Sequence, residues 1–424
     1  MIHGTCKEEP LHIAMVARRV HPAHGPGGLE RHVYELTCRL ARAGLKIDLI
    51  TEAPRDPAVR ANAEASFPDS VVTHWIQDRW LPIGEKPGTI VLDRVTNYPL
   101  WSWKVARHMV ALRGEEFCSG WSVVHIHGLA GWGLARASKR GLFKNPLVLT
   151  THGLEEFRSH SWMKHLAYSP FRACMRTVAA ESNAVVATDV SLQPLVEQHL
   201  KIPTSNQVVI VNAVDPIECR RLANPGHRRE LVAKLGLDQA FPLLLSVGRL
   251  APNKGFEMVP RALASAAQRL PSSWTWVLVG EGAARRTIED SVMASGIASH
   301  CVLAGRLTDE DLHNLYSVAD WFIHPTLYEG SSIVTLEAMA HGLPVIVSNT
   351  GGLPDKVEEG VTGFLVPPGN LDALAEALIN TRKVDGKTFG EAGRQICEFR
   401  FSWDAVTRQY IALYKSLARM SPII

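Results

Sequence analysis

The spacing of hydrophobic residues predicts strands and helices that alternate along the chain in two successive sets. In the first set, the apolar run Leu11–Val20 predicts a buried strand, and apolar residues at helical spacing from Leu29 predict a helix that ends near Gly44. Another strand, Lys46–Thr51, follows. This strand–helix–strand order is typical of a parallel sheet covered by helices on both faces. Further strands are predicted at Val71–Trp75, Val123–His127, Leu147–Thr151, Ala184–Thr188 and Val208–Val211, and the rest of Pro54–Asn97 is interpreted as loops.

The second set begins at Phe241 and predicts another doubly wound α/β domain. Its predicted strands are Leu243–Val247, Trp276–Val279, Cys301–Ala304, Trp321–His324, Pro344–Ser348 and Gly363–Val366. Its predicted helices are Gly255–Leu270, Ala283–Ala294, Asp309–Val318, Ser332–His341 and Leu371–Thr381.

Proline, asparagine and glycine between the two sets indicate a linker, at Asn212–Pro216 and Ala223–Gly226. We therefore predict a first domain of residues 1–216 and a second of residues 217–402. A last helix, from Trp403 to about Leu417, begins after the second domain is complete.

Composition excludes several classes of protein. The 424 residues carry a net charge of +3, which is too small to indicate nucleic-acid binding or a strongly anionic partner surface. No apolar run reaches the ~18 residues of a membrane span, and the N-terminus does not resemble a signal peptide. Seven cysteines, an odd number without paired spacing, favour free thiols in a reducing cytoplasm.

Two pairs of charged residues stand where predicted strands lead into helices. Arg249 and Lys254 follow the strand Leu243–Val247. Glu329 and Glu337 lie eight positions apart after a later strand. Cations at a helix N-terminus suit phosphate, whereas a carboxylate binds a vicinal diol through both oxygens. The set therefore suits a nucleotide-sugar, although Arg249 and Lys254 taken alone are more often solvated loop charges. Glu337 alone could be a surface helix acid, but its apolar neighbours argue against that.

This pattern resembles the retaining GT-B glycosyltransferases, the group 1 family that includes glycogen synthase and bacterial mannosyl- and glucosyltransferases. The resemblance covers nearly the whole chain and is densest from about Leu243 to Pro368. The resemblance implies two Rossmann-like domains facing across a cleft, with the C-terminal segment 403–424 crossing back to the first domain. It implies that Arg249 and Lys254 neutralise the departing diphosphate, and that Glu337 contacts the ribose. Glu329 and His152 are implied catalytic-site residues near the transferred sugar.

Glycine turns extend the resemblance. Gly27-Gly28 opens the first helix, at a turn that faces the donor phosphate in the family, although any tight turn also needs glycine. Gly330-Ser331-Ser332 stands where the family usually has Gly-Phe-Gly, which leaves open the sugar hydroxyls it contacts. The predicted nucleotide-sugar-binding set is Gly27, Gly28, Arg249, Lys254, Gly280, Gly282, Arg306, Leu307, Gly330, Ser331, Ser332, Ile333 and Glu337.

No metal or other cofactor is predicted. We interpret Asp309-Glu310-Asp311 as acids at a helix start after Thr308, not as a metal-binding Asp-x-Asp motif. His125 and His127 are expected to face opposite sides of one strand, and so not to share a metal.

The segment Trp162–Arg176 mixes apolar and basic residues and has two interpretations. It is either a core helix with a basic exposed side, which we favour, or an interfacial helix that makes peripheral contact with the inner face of a membrane.

The function predicted from these features is transfer of a sugar from a nucleoside-diphosphate sugar to an acceptor hydroxyl with retained configuration. The acceptor is a saccharide, a lipid-linked glycan or a small molecule. Alternatives are an epimerase of the same fold, a phosphorylase, disfavoured because this chain is too short, and a non-catalytic nucleotide-sugar-binding module. The donor base, sugar, linkage and oligomeric state stay open.

Overall fold

The computed structural model describes residues 10–25, 27–77, 89–112, 120–152, 154, 157, 162–237 and 241–420. It divides the chain into two compact units. Unit 1 comprises Met1–Val211 and Val406–Ile424, and unit 2 comprises Asn212–Ala405. The sequence placed the first boundary after residue 216 and the return to the first domain at residue 403.

Unit 1 is built on a seven-stranded parallel sheet in the order β3-β2-β1-β4-β5-β6-β7. The strands are β1 (His12–Val16), β2 (Lys46–Glu52), β3 (Val71–Ile76), β4 (Val123–His127), β5 (Leu147–Thr150), β6 (Ala184–Ala187) and β7 (Gln207–Val209). The helices are α1 (Gly28–Arg42), α2 (Pro57–Ala65), α3 (Ile90–Val95), α4 (Asn97–Leu112), α5 (Trp132–Lys139), α6 (Trp162–Ala167), α7 (Ser169–Ala180) and α8 (Gln193–Leu200).

Unit 2 contains a six-stranded parallel sheet in the order β10-β9-β8-β11-β12-β13. Its strands are β8 (Leu243–Val247), β9 (Thr275–Val279), β10 (Cys301–Gly305), β11 (Trp321–His324), β12 (Val345–Ser348) and β13 (Gly363–Val366). Its helices are α9 (Pro216–Leu222), α10 (Pro225–Lys234), α11 (Met258–Ala266), α12 (Arg285–Ala294), α13 (Asp309–Val318), α14 (Ile333–Ala340), α15 (Leu371–Asn380) and α16 (Gly386–Arg400). The predicted α/β class with two doubly wound domains is confirmed.

The C-terminal helix α17 (Trp403–Met420) contributes to the core of unit 1 from residue 406 onward. Tyr410 and Tyr414 are fully buried on it. The hydroxyl of Tyr414 lies 2.7 Å from Nδ1 of His125 on β4. From residue 406 the last helix is therefore a structural part of the first unit, against which it packs these two tyrosines.

Two regions interpreted as irregular are helical. Within Pro54–Asn97, Asp56 caps α2 through its side chain and Pro57 occupies the first turn. In the predicted linker, Asp215 and Asn224 cap α9 and α10 in the same way, each followed by proline. The prolines and polar residues indicated loops, but an N-cap followed by proline is also a helix start.

Five cysteines lie within the described residues, and all are free thiols: Cys38, Cys174, Cys219, Cys301 and Cys397. Cys6 and Cys118 lie outside the described residues, as does the N-terminal segment considered for a signal peptide. Among the described helices, none combines the length and hydropathy needed to cross a bilayer.

Candidate functional site

The strand order of unit 2 brings two loops together at the carboxyl edge of the sheet. From β8 the chain proceeds outward to β9 and β10, and it then returns to place β11 on the other side of β8. The loops after β8 and β11 therefore flank the point where the strand order reverses. Ligands of doubly wound sheets bind at such a point. Arg249 and Lys254 stand on the first loop, and Glu329 stands on the second.

Lys254, Glu329 and His324 form one bonded cluster. Nζ of Lys254 lies 2.5 Å from Oε2 of Glu329. Nε2 of His324, at the end of β11, lies 2.8 Å from the same oxygen. His324 is fully buried, and the side chains of Lys254 and Glu329 are 16% and 12% exposed. The cluster joins the two loops across 75 positions of sequence.

The protonation states within this cluster follow from its geometry. Burial alone would raise the pKa of Glu329, but the hydrogen bond from His324 and the charge of Lys254 outweigh it and lower the pKa to about 2. Burial lowers the pKa of His324 although Glu329 opposes the shift. Neutral His324 therefore donates its Nε2 proton to the Glu329 carboxylate. The sequence assigned Lys254 and Glu329 to different parts of the substrate and missed both His324 and this pairing.

Arg249 differs from Lys254 in its surroundings. Its side chain is exposed, and it forms no salt bridge with any residue that the structure describes. Its loop is held by a backbone hydrogen bond from Leu250 to Glu281, 3.0 Å long. Arg249 is therefore a cation available to an incoming anion.

The glycines beside this loop have a packing role. A Cβ on Gly280 would collide with the carbonyl oxygen of Gly248, and one on Gly282 with that of Leu250. Gly255 has φ +65°, and a Cβ there would collide with the carbonyl oxygen of Pro325. Close backbone packing thus explains Gly280 and Gly282 without a ligand, and their predicted contact with the nucleotide stays a prediction.

The N-terminus of α14 is capped by a side chain, and there is open space beside Gly330 just before it. Ser332 caps the helix by accepting a hydrogen bond from the backbone N–H of Thr335, at 3.4 Å. A Cβ added to Gly330 would have no neighbour within 4 Å. Ser331 and Ile333 are half-buried beside it. The predicted helix Ser332–His341 is shorter by one residue at each end, so Glu329–Ser332 is not helical.

Glu337 is held in place on α14. The hydroxyl of buried Tyr316 on α13 donates a hydrogen bond of 3.1 Å to Oε2 of Glu337. Burial raises the pKa of Tyr316, and the neighbouring Glu337 charge adds to this. Tyr316 therefore stays a proton donor, and it fixes one oxygen of a half-buried carboxylate.

Arg306 and Leu307 follow β10, at the same carboxyl edge of the sheet. Arg306 is exposed, and Leu307 is half-buried. Their strand lies two positions from β8, so they are more distant from the strand-order reversal than the Arg249 loop is.

The acidic run on α13 is a helix start, as predicted. The Thr308 side chain caps the helix by accepting a hydrogen bond from the backbone N–H of Asp311, at 3.1 Å. The Asp311 carboxylate lies 2.6 Å from Nε2 of His227. This pairing occupies Asp311 within the protein.

The predicted residues of unit 1 form a separate group. Gly27 is the N-cap of α1, which begins at Gly28. The Glu30 carboxylate lies against Gly27, at the position that a Cβ would occupy. A negative charge already stands at this helix N-terminus, a feature that the sequence did not predict.

Half-buried His152 lies beside two buried imidazoles, those of His32 and His127. Its Nε2 atom lies 2.7 Å from Nδ1 of His127, and the His32 ring lies 4.8 Å from the His152 ring. Burial is the main reason why the pKa values of His127 and His152 lie well below 6.5, and the charges of neighbouring histidines lower them further. One nitrogen atom from each of these three rings lies within 4.8 Å of the others, a spacing that would suit a metal ion.

The expectation that His125 and His127 face opposite sides of β4 was wrong. Their ring centroids lie 4.3 Å apart. Residues two apart on a strand share a face because side chains alternate with a period of two. Nε2 of His125 lies 2.7 Å from Oγ1 of Thr150, so its partners differ from those of His127.

Comparisons with known proteins agree with this architecture. The family described as "Glycosyl transferases group 1" matches residues 227–387, and "Glycosyltransferase Family 4" matches residues 26–218. The chain is 31% identical to the α-maltose-1-phosphate synthase of Mycobacterium tuberculosis, over 70% of this chain and 79% of that protein. It is 27% identical to the D-inositol 3-phosphate glycosyltransferase of Mycolicibacterium paratuberculosis, over 97% and 91%. The sucrose-phosphate synthase structure from Thermosynechococcus elongatus has a TM-score of 0.76 and 25% identity, covering 97% of this chain and all of that one.

Proposed function

Because this chain belongs to the group 1 glycosyltransferases, we propose that it transfers a hexosyl group from a nucleoside-diphosphate sugar to an acceptor hydroxyl with retention of configuration. The observation that carries the proposal is the cluster at the strand-order reversal of unit 2. There Lys254 and Glu329 are bonded to each other, and exposed Arg249 lies on the same loop as Lys254.

The residues of this cluster can bind the groups on both sides of the bond that breaks, namely the diphosphate and the transferred sugar. Arg249 binds the diphosphate, and Lys254 shares its charge between the Glu329 carboxylate and the departing phosphate oxygen. Glu329 stays ionised because its pKa is about 2, so it accepts hydrogen bonds from sugar hydroxyls at neutral pH. Glu337, held by Tyr316, accepts hydrogen bonds from the ribose diol.

Retention follows from a reaction on one face of the sugar. The bond from the anomeric carbon to the diphosphate oxygen breaks as positive charge develops on the ring. The acceptor hydroxyl then attacks from the same face, and its proton passes to the departing diphosphate oxygen. The contribution of the protein is positioning and neutralisation of the leaving group's charge. His152 is proposed to contact the transferred sugar, as a neutral imidazole at physiological pH.

The test is turnover by the full chain with a panel of nucleoside-diphosphate hexoses and acceptors. Two relatives are named for sugar-phosphate and inositol-phosphate chemistry, so the panel includes phosphorylated hexoses and inositol phosphate beside free and lipid-linked saccharides. We expect acceptor-dependent release of nucleoside diphosphate and, by NMR, a product with the donor's anomeric configuration. An inverted product, or conversion of the donor sugar without an acceptor, would overturn the proposal.

A further inference from the structure

Positive charge is concentrated in one part of the chain. Residues 94–180 hold twelve lysines and arginines but only four acidic residues, whereas the remainder holds 33 and 38. The four acids are Glu115, Glu116, Glu155 and Glu156, which lie outside the described residues. Helices α4, α5, α6 and α7 therefore contain no acidic residue.

These four helices form one layer of unit 1. Helix α4 packs against α5, α5 against α7, and α7 against α6. We call the outward side of this layer the basic face. Two grooves run along it. The groove between α4 and α5 has a volume of about 420 Å³ and is lined by Trp103, Arg107, Val110, Arg136, Arg140 and Leu142, among others. The groove between α5 and α7 has a volume of about 620 Å³, and its lining includes Arg136, Lys139, Arg140 and Thr177.

The basic face also exposes large apolar side chains. Trp103 is 49% exposed, Leu142 58%, and Trp162, Met163 and Leu166 on α6 between 62% and 75%. By contrast, Phe171 and Met175 on α7 are buried. The core interpretation of Trp162–Arg176 therefore holds for α7, whereas α6 presents its apolar residues outward.

Four cations of the basic face have no carboxylate partner within the part of the chain that the structure describes. Among the described residues, none forms a salt bridge with Arg107, Arg136, Lys139 or Arg140. Two exposed arginines outside this face do pair with glutamates one helical turn away, Arg60 with Glu64 and Arg221 with Glu218.

Two of these cations instead lie over aromatic rings. The Arg107 guanidinium lies 4.9 Å from the centroid of the Trp103 ring, and the Arg136 guanidinium lies 5.0 Å from that of the Trp132 ring. Amphipathic tryptophan next to arginine is typical of the interface between lipid headgroups and acyl chains.

We propose that the basic face of unit 1 docks on the surface of an anionic phospholipid bilayer. Cations without carboxylate partners attract phosphate headgroups, and the exposed apolar residues of α4, α6 and the Leu142 loop enter the headgroup boundary. Nucleic acid would also attract the cations, but it offers no apolar phase to the outward side chains of α6. The bilayer therefore accounts for both the charge and the apolar exposure.

The experiment is co-sedimentation of the full chain with vesicles, which needs no sugar donor and is independent of the proposed transferase activity. We expect binding to phosphatidylcholine vesicles that contain phosphatidylglycerol, little binding to pure phosphatidylcholine, and weaker binding as salt is raised. Equal binding to both vesicles, or none to either, would reject the proposal. So would tighter binding to duplex DNA or RNA than to the anionic vesicles.

Matched variants locate the surface. Arg107→Glu/Arg136→Glu/Arg140→Glu should reduce binding at least tenfold, since each basic residue near an anionic membrane contributes severalfold. The control Arg229→Glu/Lys234→Glu/Lys387→Glu makes the same charge change at exposed positions of unit 2.

For the apolar contribution, Trp162→Ser/Leu166→Ser is compared with Ile217→Ser/Phe399→Ser, whose residues are 73% and 84% exposed on unit 2. We expect a loss only for the α6 pair. Circular dichroism melting confirms that each variant folds. Equal losses in the variants and their controls would mean that binding is not located on the basic face.

Discussion

At the scale of single residues, Arg249 offers the clearest test of the proposed site. It is exposed and lies on a loop whose conformation depends on backbone contacts, so Arg249→Ala should leave the fold intact. Loss of one charge-assisted contact with the diphosphate should cost roughly 2–4 kcal/mol in transition-state stabilisation, which is about thirtyfold or more in kcat/KM. Steady-state kinetics of Arg249→Ala and of the control Arg229→Ala decide it. Activity within threefold of the parent would contradict the assignment of Arg249.

Lys254→Ala should lower turnover by a similar factor but should also destabilise the chain. The substitution leaves the Glu329 carboxylate, which is 12% exposed, without its cation. Adding Glu329→Gln removes that charge and should recover part of the lost stability, but not the activity. Urea unfolding of the single and double variants measures this. If Lys254→Ala and the double variant Lys254→Ala/Glu329→Gln were equally stable, the ion pair would not contribute to folding.

The same cluster predicts a pH dependence of stability. The pKa of Glu329 is about 2 in the folded chain, below its ordinary value of 4.5. Because the folded value is the lower one, the stabilisation is complete above pH 4.5 and is lost as pH falls toward 2. Relative to Glu329→Gln, the parent's free energy of unfolding should fall by about 1.4 kcal/mol per pH unit in this window. Urea titrations at pH 6 and pH 3.5 measure it, with Glu310→Gln as the exposed control. Parallel pH dependence of parent and Glu329→Gln would refute the ion-pair account.

The two site glutamates should differ in their effects on binding. Glu337→Gln should weaken binding of the bare nucleoside diphosphate, because it alters only the proposed ribose contact. Glu329→Gln should leave that binding nearly unchanged and lower turnover of the intact donor. Tyr316→Phe, which removes the 3.1 Å hydrogen bond to Glu337, should weaken nucleotide binding less than Glu337→Gln does. Calorimetry with the bare nucleotide distinguishes them. The opposite pattern for the two glutamates would reverse the assignment.

At the scale of elements, the start of α13 tests whether Asp309-Glu310-Asp311 are acids of a capped helix start or ligands of a metal ion. The first interpretation underlies the prediction that no metal is needed. Thr308→Ala should cost about 1 kcal/mol of stability by removing the cap, and Asp309→Asn should leave turnover within twofold. Excess chelator should also leave turnover intact. Loss of activity that is restored by zinc would instead implicate the three histidines His32, His127 and His152.

Sequence patterns predicted the strands better than the connections between them. Strands β4, β8, β11 and β13 have the predicted bounds because each is a short, mainly apolar run that is bordered by glycine, proline or a polar residue. Helices α2, α9 and α10 were missed because proline preceded by aspartate or asparagine indicates a loop and a helix start equally well. The ion pair of Lys254 and Glu329 could not be predicted, because it depends on the strand order that makes β8 and β11 neighbours.

At the scale of the whole molecule, the net charge of the chain conceals a strongly basic stretch within it. The net charge of +3 indicated no anionic partner, yet it combines a strongly basic stretch, residues 94–180, with a remainder in which acids outnumber bases. Periodicity could not show that four helices of this stretch share one layer, because their contacts depend on the tertiary fold.

The division into two units leads to a last prediction, about where bound nucleotide stabilises the chain. Each unit has its own hydrophobic core, and the proposed diphosphate and ribose contacts Arg249, Lys254 and Glu337 belong to unit 2. A bare nucleoside diphosphate at a hundred times its Kd should stabilise the unit that binds it by about 2.7 kcal/mol. Hydrogen exchange of the slowest amides in β8 and β11 should therefore slow by about a hundredfold, whereas β4 and β5 of unit 1 should change little.

Helix α1 of unit 1 serves as the internal comparison in this experiment. The Glu30 carboxylate beside Gly27 disfavours a phosphate at its N-terminus, so we expect no added protection there from the bare nucleotide. Protection of α1 equal to that of β8 would show that Gly27 and Gly28 bind the diphosphate despite Glu30. Protection confined to unit 1 would show that the nucleotide binds there and not in unit 2, where Arg249 and Lys254 lie. That result would contradict the proposed roles of both cations.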